Sequence, residues 1–316
     1  MRPESLASLA CPVCGGPFYF DEVGTGGATE GTLRCDVGHA FDFAKQGYVN
    51  LIPGGKLVHT ADDEDMVVCR VRFHGRDHYR LLADRIAEIV VGGLAQGDSP
   101  ATGASADATP EREYVVADLG AGPGYYAAAI AERADAWGAP LAGHTTVLAL
   151  DVSKYALRRA AKVHPNVVAI AADTWDRIPV ADRSLDALVC VFAPRNASEF
   201  ARVLRPGGRL VIVRPTQEHM AEVRDAAGLI KIGGNKEADL EEKLRPHFVE
   251  VARERVGATL QLSHRDVEDL VMMGPNRHHT SLEKLRAAIG ALPDPAPTTM
   301  LVELTVYEPK AGRGRR

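Results

Sequence analysis

Four side chains that commonly bind metals lie within the first forty residues of this sequence. Cys11 and Cys14 form a C-x2-C pair, and Cys35 and His39 form a C-x3-H pair. Thiolates and imidazoles in two such pairs are typical ligands of tetrahedral zinc. Glycines beside each pair allow the tight turns that direct both pairs at one centre. The spacing predicts a structural Zn2+ site, because four protein ligands leave no coordination position for water.

A redox-active C-x-x-C pair is the alternative interpretation of the first two cysteines. Such a pair belongs at the amino end of a helix in a strand-helix unit, whereas Pro12 and two glycines surround this one. The segment "TGGATEG" at residues 25–31 instead predicts a hairpin tip between two short strands. The other cysteines, Cys69 and Cys190, stand singly in apolar or mixed sequence, and we expect both to be buried.

A second chemical pattern is the glycine-rich segment "DLGAGPGYY" at residues 118–126. It follows a predicted strand and opens a predicted helix, so a ligand could approach the backbone at its three glycines. Either a dinucleotide or S-adenosylmethionine could use such a loop. The dinucleotide fingerprint is G-x-G-x-x-G with an acid about twenty residues later, whereas this loop is G-x-G-x-G and Asp151 lies further on. Turn formation and helix capping are the structural alternatives for each of these residues.

The elements that must position these residues are short β-rich runs separated by helical patterns. This alternation predicts a parallel, doubly wound α/β sheet, with ligands outside the carboxyl ends of its strands. Asp151 ends the second run, where a carboxylate could accept hydrogen bonds from ribose hydroxyls. Asp173 ends the third run, where it could accept one from an adenine amino group. The runs occupy residues 114–120, 145–151, 166–173, 185–194 and 209–215.

The chain divides into four predicted parts. Residues 1–55 form the zinc-binding module, 56–91 a helical connector, 92–112 a flexible insertion of small polar residues, and 113–316 the α/β domain. The connector is predicted to contain two helices broken near Gly75. Its arginines form either a solvated helix face or a contact with phosphate groups; they are Arg70, Arg72, Arg76 and Arg80.

The composition limits the class of protein. Of 316 residues, 46% are hydrophobic and 25% are charged, which is ordinary for a globular chain. There is no apolar run of about eighteen residues and no apolar stretch of signal-peptide length, so we expect a cytoplasmic protein that does not cross a membrane. The net charge of −5 argues against a protein that coats nucleic acid non-specifically, although it allows a local basic patch.

The order of an acid, a G-x-G-x-G loop, a ribose acid and the "PGG" turn at residues 206–208 resembles class I S-adenosylmethionine-dependent methyltransferases. The resemblance implies a Rossmann-like seven-stranded sheet and S-adenosyl-L-methionine as cofactor. It assigns cofactor binding to Asp118, Gly120, Ala121, Gly122, Gly124, Tyr125, Tyr126, Asp151 and Asp173.

A more specific resemblance covers nearly the whole chain. The segments "CPVC…RCDVGHAFDFAKQGYVNLI", "DMVVCRVRFHGRDHY", "DLGAGPGYY", "LDVSKYALRRAAK" and "VFAPRN" together resemble the bacterial 23S rRNA guanine-N1 methyltransferases of the RlmA type. This implies methylation of N1 of one guanine in a hairpin loop of domain II. One branch modifies position 745 and another, associated with tylosin-type macrolide resistance, modifies 748; "AADTWDR" and "VFAPRN" favour the second. The zinc module and the arginine-rich helix would contact the RNA.

Guanine N1 carries a proton at neutral pH, so that proton must leave as the nitrogen is methylated. The segment "FAPRN" follows the fourth strand, where Arg195 could stabilise charge at O6 and Asn196 could orient the base. Alternatively, both residues cap the next helix or bind phosphate. No general base is identified. Near the carboxyl end, we expect two methionines in the core and three residues facing substrate: Met272 and Met273, then Arg277, His278 and His279.

Two other functions are compatible with parts of this pattern. A small-molecule methyltransferase of the quinone type would share the sheet but would have no use for the zinc module. A non-catalytic, zinc-dependent RNA-binding protein would tolerate loss of the cofactor ligands. An RNA hairpin is wide relative to one zinc module, so two copies of the protein could bind it together as a homodimer.

Overall fold

The computed structural model describes residues 7–22, 31–54, 61–97, 112–229, 236–278 and 281–310. In these segments the chain forms a small three-stranded sheet near the amino end and one large sheet with helices on both faces. No helix in these segments has the length and apolar character needed to cross a bilayer.

The small sheet contains the predicted zinc module. Strands β1 (Phe18–Glu22), β2 (Gly31–Cys35) and β3 (Ala40–Asp42) pair antiparallel in that order. The predicted hairpin between β1 and β2 is confirmed, while most of its predicted tip lies outside the described residues. Leu33 of β2 is fully buried, which anchors the module to the rest of the core.

The large sheet has the order β10-β11-β9-β8-β5-β6-β7-β4. The five predicted runs form β5–β9, and the prediction that they pair parallel is confirmed. Strand β4 also pairs parallel with β7, whereas β11 pairs antiparallel with both β9 and β10. Strands β5–β11 are the seven that the resemblance implied, and β4 adds an eighth. Their bounds are β4 (Val49–Asn50), β5 (Tyr114–Leu119), β6 (Thr145–Asp151), β7 (Val167–Ala171), β8 (Leu185–Val191), β9 (Leu204–Pro215), β10 (Phe248–Leu262) and β11 (Ala296–Pro309).

Both faces of the parallel strands are buried, which explains their nearly continuous apolar sequences. Along β5, Val116 belongs to a core shared with the connector helices, whereas Val115 belongs to a core shared with the zinc module. The helices with described bounds are α1 (Glu64–His74), α2 (Arg80–Gly97), α3 (Tyr125–Trp137), α4 (Lys154–Ala160), α5 (Ala197–Val203), α6 (Ala221–Ala227), α7 (Lys236–Leu244), α8 (His264–Met272) and α9 (Leu282–Ile289), with a 3-10 turn at Pro275–His278.

The two predicted connector helices are confirmed, with a turn after Gly75 between them. Helix α2 nevertheless continues through Gly97, so the insertion expected at 92–112 does not begin at 92. Val90, Val91 and Leu94 are buried against the sheet, and this packing outweighs the poor helix propensity of the neighbouring glycines. Residues 98–111 of that predicted insertion lie outside the described part of the chain.

The zinc module is joined to the large sheet through the backbone. Val49 of β4 pairs with Ile170 of β7, and the Leu51 amide donates to the Ala171 carbonyl over 2.9 Å. A second bridge joins Leu9 to Val180, beyond the loop that follows β7. This arrangement places the metal ligands on the flank of the sheet from which that loop emerges.

Candidate cofactor cleft and zinc site

The four predicted zinc ligands come together in the structure. Their ligand atoms all lie within 4.8 Å of one another. The Cys35 Sγ lies 3.3 Å from His39 Nδ1, and the Cys14 and Cys35 sulfurs are 3.6 Å apart. Three thiols and one imidazole around one centre fit tetrahedral zinc, which would tie the two knuckles together and stabilise a module with a small core of its own; the ligands are Cys11, Cys14, Cys35 and His39.

Each knuckle closes with a glycine in the left-handed region. Gly15 has φ +75° and its amide donates to the Cys11 carbonyl over 2.7 Å; Gly38 has φ +92° and donates to the Cys35 carbonyl over 2.8 Å. Residues with a Cβ rarely adopt this conformation. The glycines flanking the ligands therefore set the direction of the thiols.

A cleft of about 960 Å³ opens at the carboxyl ends of the parallel strands. This is the edge where open α/β sheets bind their ligands. The glycine loop after β5, the acids after β6 and β7, the segment after β8 and the turn after β9 all contribute to its lining. The structure therefore brings most of the predicted site residues into one cavity, and the connector covers it from above with α1.

The glycine loop contacts the cleft at two of its three glycines. Gly120 has φ +69° and Gly122 has φ +55°, and both line the cavity. A Cβ on Gly120 would lie only 2.6 Å from the Ala193 Cβ, so the loop packs tightly against the segment after β8. Gly124 has a different role, because a Cβ there would meet Ala160 at 3.1 Å, where α3 packs on α4.

Three carboxylates surround this loop, of which Asp118 and Asp173 are buried and Asp151 is partly buried. Asp151 accepts hydrogen bonds from the amides of Gly122 and Ser153, each over 2.8 Å, and burial raises its pKa. Burial, with Asp151 nearby, raises the pKa of Asp118 to about 7, and one of its oxygens has no partner among the described residues. Asp173 lines the cleft and accepts from the amide of Trp175 over 3.0 Å. Each carboxylate oxygen has two lone pairs, so Asp151 and Asp173 can still accept from a ligand.

Only one of the two tyrosines predicted to bind the cofactor lines the cleft. Tyr126 lines the cleft beside Ala121, whereas Tyr125 lies outside the lining and stacks on His74, with ring centroids 4.3 Å apart. Burial lowers the pKa of His74 to about 3, so this ring stays neutral at physiological pH. Tyr125 therefore supports the cleft wall through His74.

Of the two residues predicted to take part in catalysis, Arg195 and Asn196, only one lines the cleft. Arg195 lines the cleft. Asn196 is the N-cap of α5, where its side chain accepts from the Glu199 amide and donates to the Trp175 carbonyl over 3.1 Å. The capping alternative is therefore what the structure shows for Asn196, because both ends of its amide are in use, and only Arg195 can reach a ligand.

The connector arginines are mainly occupied inside the protein. The Arg72 Nε lies 3.0 Å from a carboxylate oxygen of Asp269, which is fully buried on α8. Arg76 also pairs with α8, and Arg80 pairs with Asp84 in its own helix. The hypothesis that this stretch grips phosphate is not supported by its geometry, since these carboxylates neutralise it. Arg70 differs, because it lines the cleft while bonded to Asp62 and to the Met273 carbonyl.

The carboxyl-terminal candidates have mixed outcomes. Met273 is buried and Met272 is partly buried against the core, as predicted. Arg277 forms ion pairs with Asp63 and Asp65 next to α1, each over 3.1 Å. The His278 side chain and the whole of His279 lie outside the described structure.

Tyr79 and His219 are among the cleft residues that the sequence analysis did not identify. Tyr79 belongs to the turn between α1 and α2, and His219 to the turn after β9. The Tyr79 hydroxyl oxygen is 3.3 Å from His219 Nε2. His219 follows the carboxyl end of a parallel strand, which is a signal that could have identified it. Tyr79 carries no comparable local signal, since its position depends on a helix-helix turn.

The sheet order, the glycine loop with its buried acids and the four-ligand cluster define a class I S-adenosylmethionine-dependent methyltransferase with a zinc ribbon. Residues 9–56 match the family model described as RlmA, N-terminal, a zinc ribbon, and residues 116–208 match that of a methyltransferase domain. A solved structure of a SAM-dependent methyltransferase from Aquifex aeolicus is 14% identical with a TM-score of 0.37, and the match covers 62% of this chain and 84% of that one.

Two curated relatives match along their whole length. The 23S rRNA (guanine(748)-N(1))-methyltransferase of Streptomyces fradiae is 39% identical over 98% of this chain and 99% of its own. A protein of Micromonospora griseorubida, provisionally named a 23S rRNA (guanine-N1)-methyltransferase, is 40% identical over 98% of this chain and 100% of its own. The chain belongs to the family of 23S rRNA (guanine-N1)-methyltransferases.

Proposed function

We propose that this enzyme methylates N1 of guanine 748 in a hairpin loop of domain II of 23S rRNA. The observation that carries the position is the full-length similarity to the Streptomyces fradiae relative, whose name specifies that nucleotide. The same similarity supports a role in tylosin-type macrolide resistance, because a methyl group at this nucleotide would alter the wall of the tunnel in which such drugs bind. Guanine 745 is the alternative position.

The cleft residues bind the cofactor in this proposal. S-adenosylmethionine supplies an electrophilic methyl group on its sulfonium. The backbone at Gly120 and Gly122 allows the close approach that this ligand needs, Asp151 accepts from the ribose hydroxyls, and Asp173 accepts from the adenine amino group. Tyr126 lines the cleft beside the loop, while Asp118 is buried beneath it with a pKa of about 7, so a cationic ligand nearby would favour its ionised form.

The loop after β8 contacts the target base in this proposal. When N1 of guanine loses its proton, negative charge spreads to O6, and a guanidinium nearby stabilises that charge. Arg195 lines the cleft two residues after Ala193, which packs against the glycine loop, and this supports a role for Arg195 beside the reacting base. Hairpin loops suit this reaction because their bases are partly unstacked.

The zinc module makes the outer contact with RNA in this proposal. Tyr19 of β1 is 54% exposed and pairs across the sheet with Arg34, and aromatic and arginine side chains together stack on bases. The Ala10 amide donates to the Pro179 carbonyl over 3.1 Å, which fixes the module to the loop that begins at Asp173. An RNA loop held on the module is thus close to the cleft. Two protomers per hairpin would extend this surface, and analytical ultracentrifugation with and without RNA measures that association.

Primer extension on a domain II transcript tests the proposal, because N1-methylguanine blocks reverse transcriptase. We expect a stop next to 748 that requires the protein and S-adenosylmethionine. A stop at 745 would correct the position. No stop, with methyl transfer only to a lipid extract or none at all, would support the quinone-type or non-catalytic alternative. A rise in the tylosin concentration that inhibits a sensitive host expressing the gene is the expected phenotype.

A further inference from the structure

Tyr79 and His219 form a buried polar pair in the cleft that the proposed reaction has not yet used. Tyr79 is 3% exposed and His219 is 8% exposed, and both side chains line the cavity. Their hydroxyl oxygen and Nε2 atoms are 3.3 Å apart. Buried polar groups are costly unless they are hydrogen-bonded, so the direction of each bond in this pair decides what it offers to a ligand.

The backbone fixes the direction of the bond between them. The Leu301 amide donates to His219 Nδ1 over 3.3 Å, and a backbone N–H can only donate. Nδ1 must therefore hold the lone pair. Burial, reinforced by Arg224, lowers the pKa of His219 to about 4, so the ring is neutral at physiological pH and its single proton sits on Nε2. That N–H donates to the Tyr79 oxygen.

The surrounding bonds hold the histidine in this orientation. Its carbonyl accepts from the Arg224 guanidinium over 2.7 Å, and the next residue, Met220, donates its amide to the Thr299 carbonyl over 2.7 Å. The turn after β9 is thus tied to β11 on both sides of His219. Because the Tyr79 oxygen already accepts a hydrogen bond from His219, its own O–H proton remains to be donated, and the cavity is where a ligand could accept it.

An aromatic face lies beside this donor. Phe192, directly after β8, is 41% exposed, and its ring centroid lies 5.7 Å from His219 and 6.4 Å from Tyr79. Its φ of +54° is a conformation that residues with bulky side chains rarely adopt, and such strain persists where the surrounding structure requires it. An exposed ring in a strained loop at the cleft suits stacking on a nucleobase.

We propose that Tyr79, oriented by His219, donates a hydrogen bond to O6 of the target guanine while Phe192 packs against the face of the base. This rests on the proposed methylation of guanine N1. Negative charge grows at O6 as N1 loses its proton, so the bond strengthens in the transition state. An adenine would present its amino group to the same hydroxyl, placing two donors together. The pair therefore selects guanine as well as accelerating its reaction, and His219 is a positioning residue.

A double-mutant cycle between protein and RNA tests this contact. The enzyme is Tyr79→Phe, and the second change places 6-thioguanine at the target nucleotide, where sulfur is a weak acceptor. With guanine, we expect Tyr79→Phe to lower kcat about 10–100-fold with a smaller change in KM. For each enzyme, the rate with guanine is divided by the rate with 6-thioguanine. This ratio should be about tenfold larger for wild type than for Tyr79→Phe, because the variant has no hydroxyl that could bond to O6. Equal ratios in the two enzymes would overturn the proposal.

Three further variants separate recognition from folding. Tyr114→Phe removes a buried hydroxyl at the amino end of β5, away from the cleft, and should behave as wild type on both RNAs. If a thermal melt shows that Tyr79→Phe is unstable, the cycle is measured with His219→Gln and His219→Leu instead. The glutamine side chain can both accept from the Leu301 amide and donate to Tyr79. The ratio of the rates with guanine and 6-thioguanine should therefore be larger for His219→Gln than for His219→Leu, and identical ratios would refute the contact.

The same assay distinguishes this inference from the proposed function. If wild-type protein places no methyl group on guanine N1 of the transcript, the proposed function fails and the inference falls with it. If wild-type protein is active but the cycle shows no coupling, the inference alone is wrong.

Discussion

Gly120→Ala is the substitution for which the structure gives the clearest expectation. The new Cβ would lie 2.6 Å from the Ala193 Cβ, whereas ordinary van der Waals contact begins near 3.4 Å. The loop after β8 must therefore move by about 0.8 Å. Gly143→Ala is a matched control, because Gly143 also has a positive φ, of +74°, but a Cβ there meets nothing within 4 Å.

Both substitutions strain the backbone by about 1–2 kcal/mol, because an L-residue is placed in the left-handed region. Only Gly120→Ala adds overpacking, which costs about 1–3 kcal/mol more. Its melting temperature should fall below that of Gly143→Ala by at least about 2 °C. The shift also moves Phe192 and the target base, and a misplacement of about 1 Å can reduce a rate about a hundredfold.

Differential scanning calorimetry, titration with S-adenosylmethionine and single-turnover methylation measure these effects. Adding Ala193→Gly to Gly120→Ala removes the other half of the collision and should restore part of the stability and the rate, a coupling that independent sites would not show. The reasoning is refuted if Gly120→Ala matches Gly143→Ala in stability and cofactor affinity, or if Ala193→Gly gives no rescue.

Three other predictions follow from the metal site, a buried acid and the connector. Cys14→Ser should lower the bound zinc measured by mass spectrometry, whereas Cys69→Ala should retain one equivalent; equal zinc contents would argue against the ligand set. Asp118 has a folded pKa of about 7 against an ordinary value of 3.8, so it takes up a proton on folding and its contribution to stability is lost as pH rises from about 4 to 7. Urea unfolding of Asp118→Asn should show a stability advantage over wild type that grows across this range, and a constant difference would contradict the assignment. Arg72→Ala removes the nearest cation of the fully buried Asp269, which keeps only the longer contacts to Arg76 and Arg265, and should cost about 2 kcal/mol in urea unfolding. Arg80→Ala breaks an exposed pair and should cost less than about 1 kcal/mol; equal losses would contradict the burial argument.

Features set by local spacing were predictable from the sequence. The five apolar runs of the parallel strands are each long enough to show burial on both faces, and all five are strands in the structure. The zinc ligands form two local pairs whose spacing alone limits their geometry. The glycine loop likewise follows from adjacent residues. In each case the information lies within a few positions of the chain.

Features set by distant partners were not predictable. Strand β4 has two residues and joins the large sheet by pairing with β7, more than a hundred positions away. Arg72 and Arg76 resemble a phosphate site until their carboxylate partners, nearly 200 positions away on α8, are known. His219 and Tyr79 are 140 positions apart, and the tautomer of His219 depends on an amide of β11. Such contacts leave no pattern in a single sequence.

Transfer of an isotopically labelled methyl group tests the central claim most directly. Purified enzyme is incubated with the domain II transcript and S-adenosylmethionine carrying a trideuterated methyl group, and the nuclease fragments are analysed by mass spectrometry. We predict one labelled 1-methylguanosine, in the fragment that contains guanine 748. Label on another base, on another atom of guanine, or on no RNA fragment at all would contradict this account.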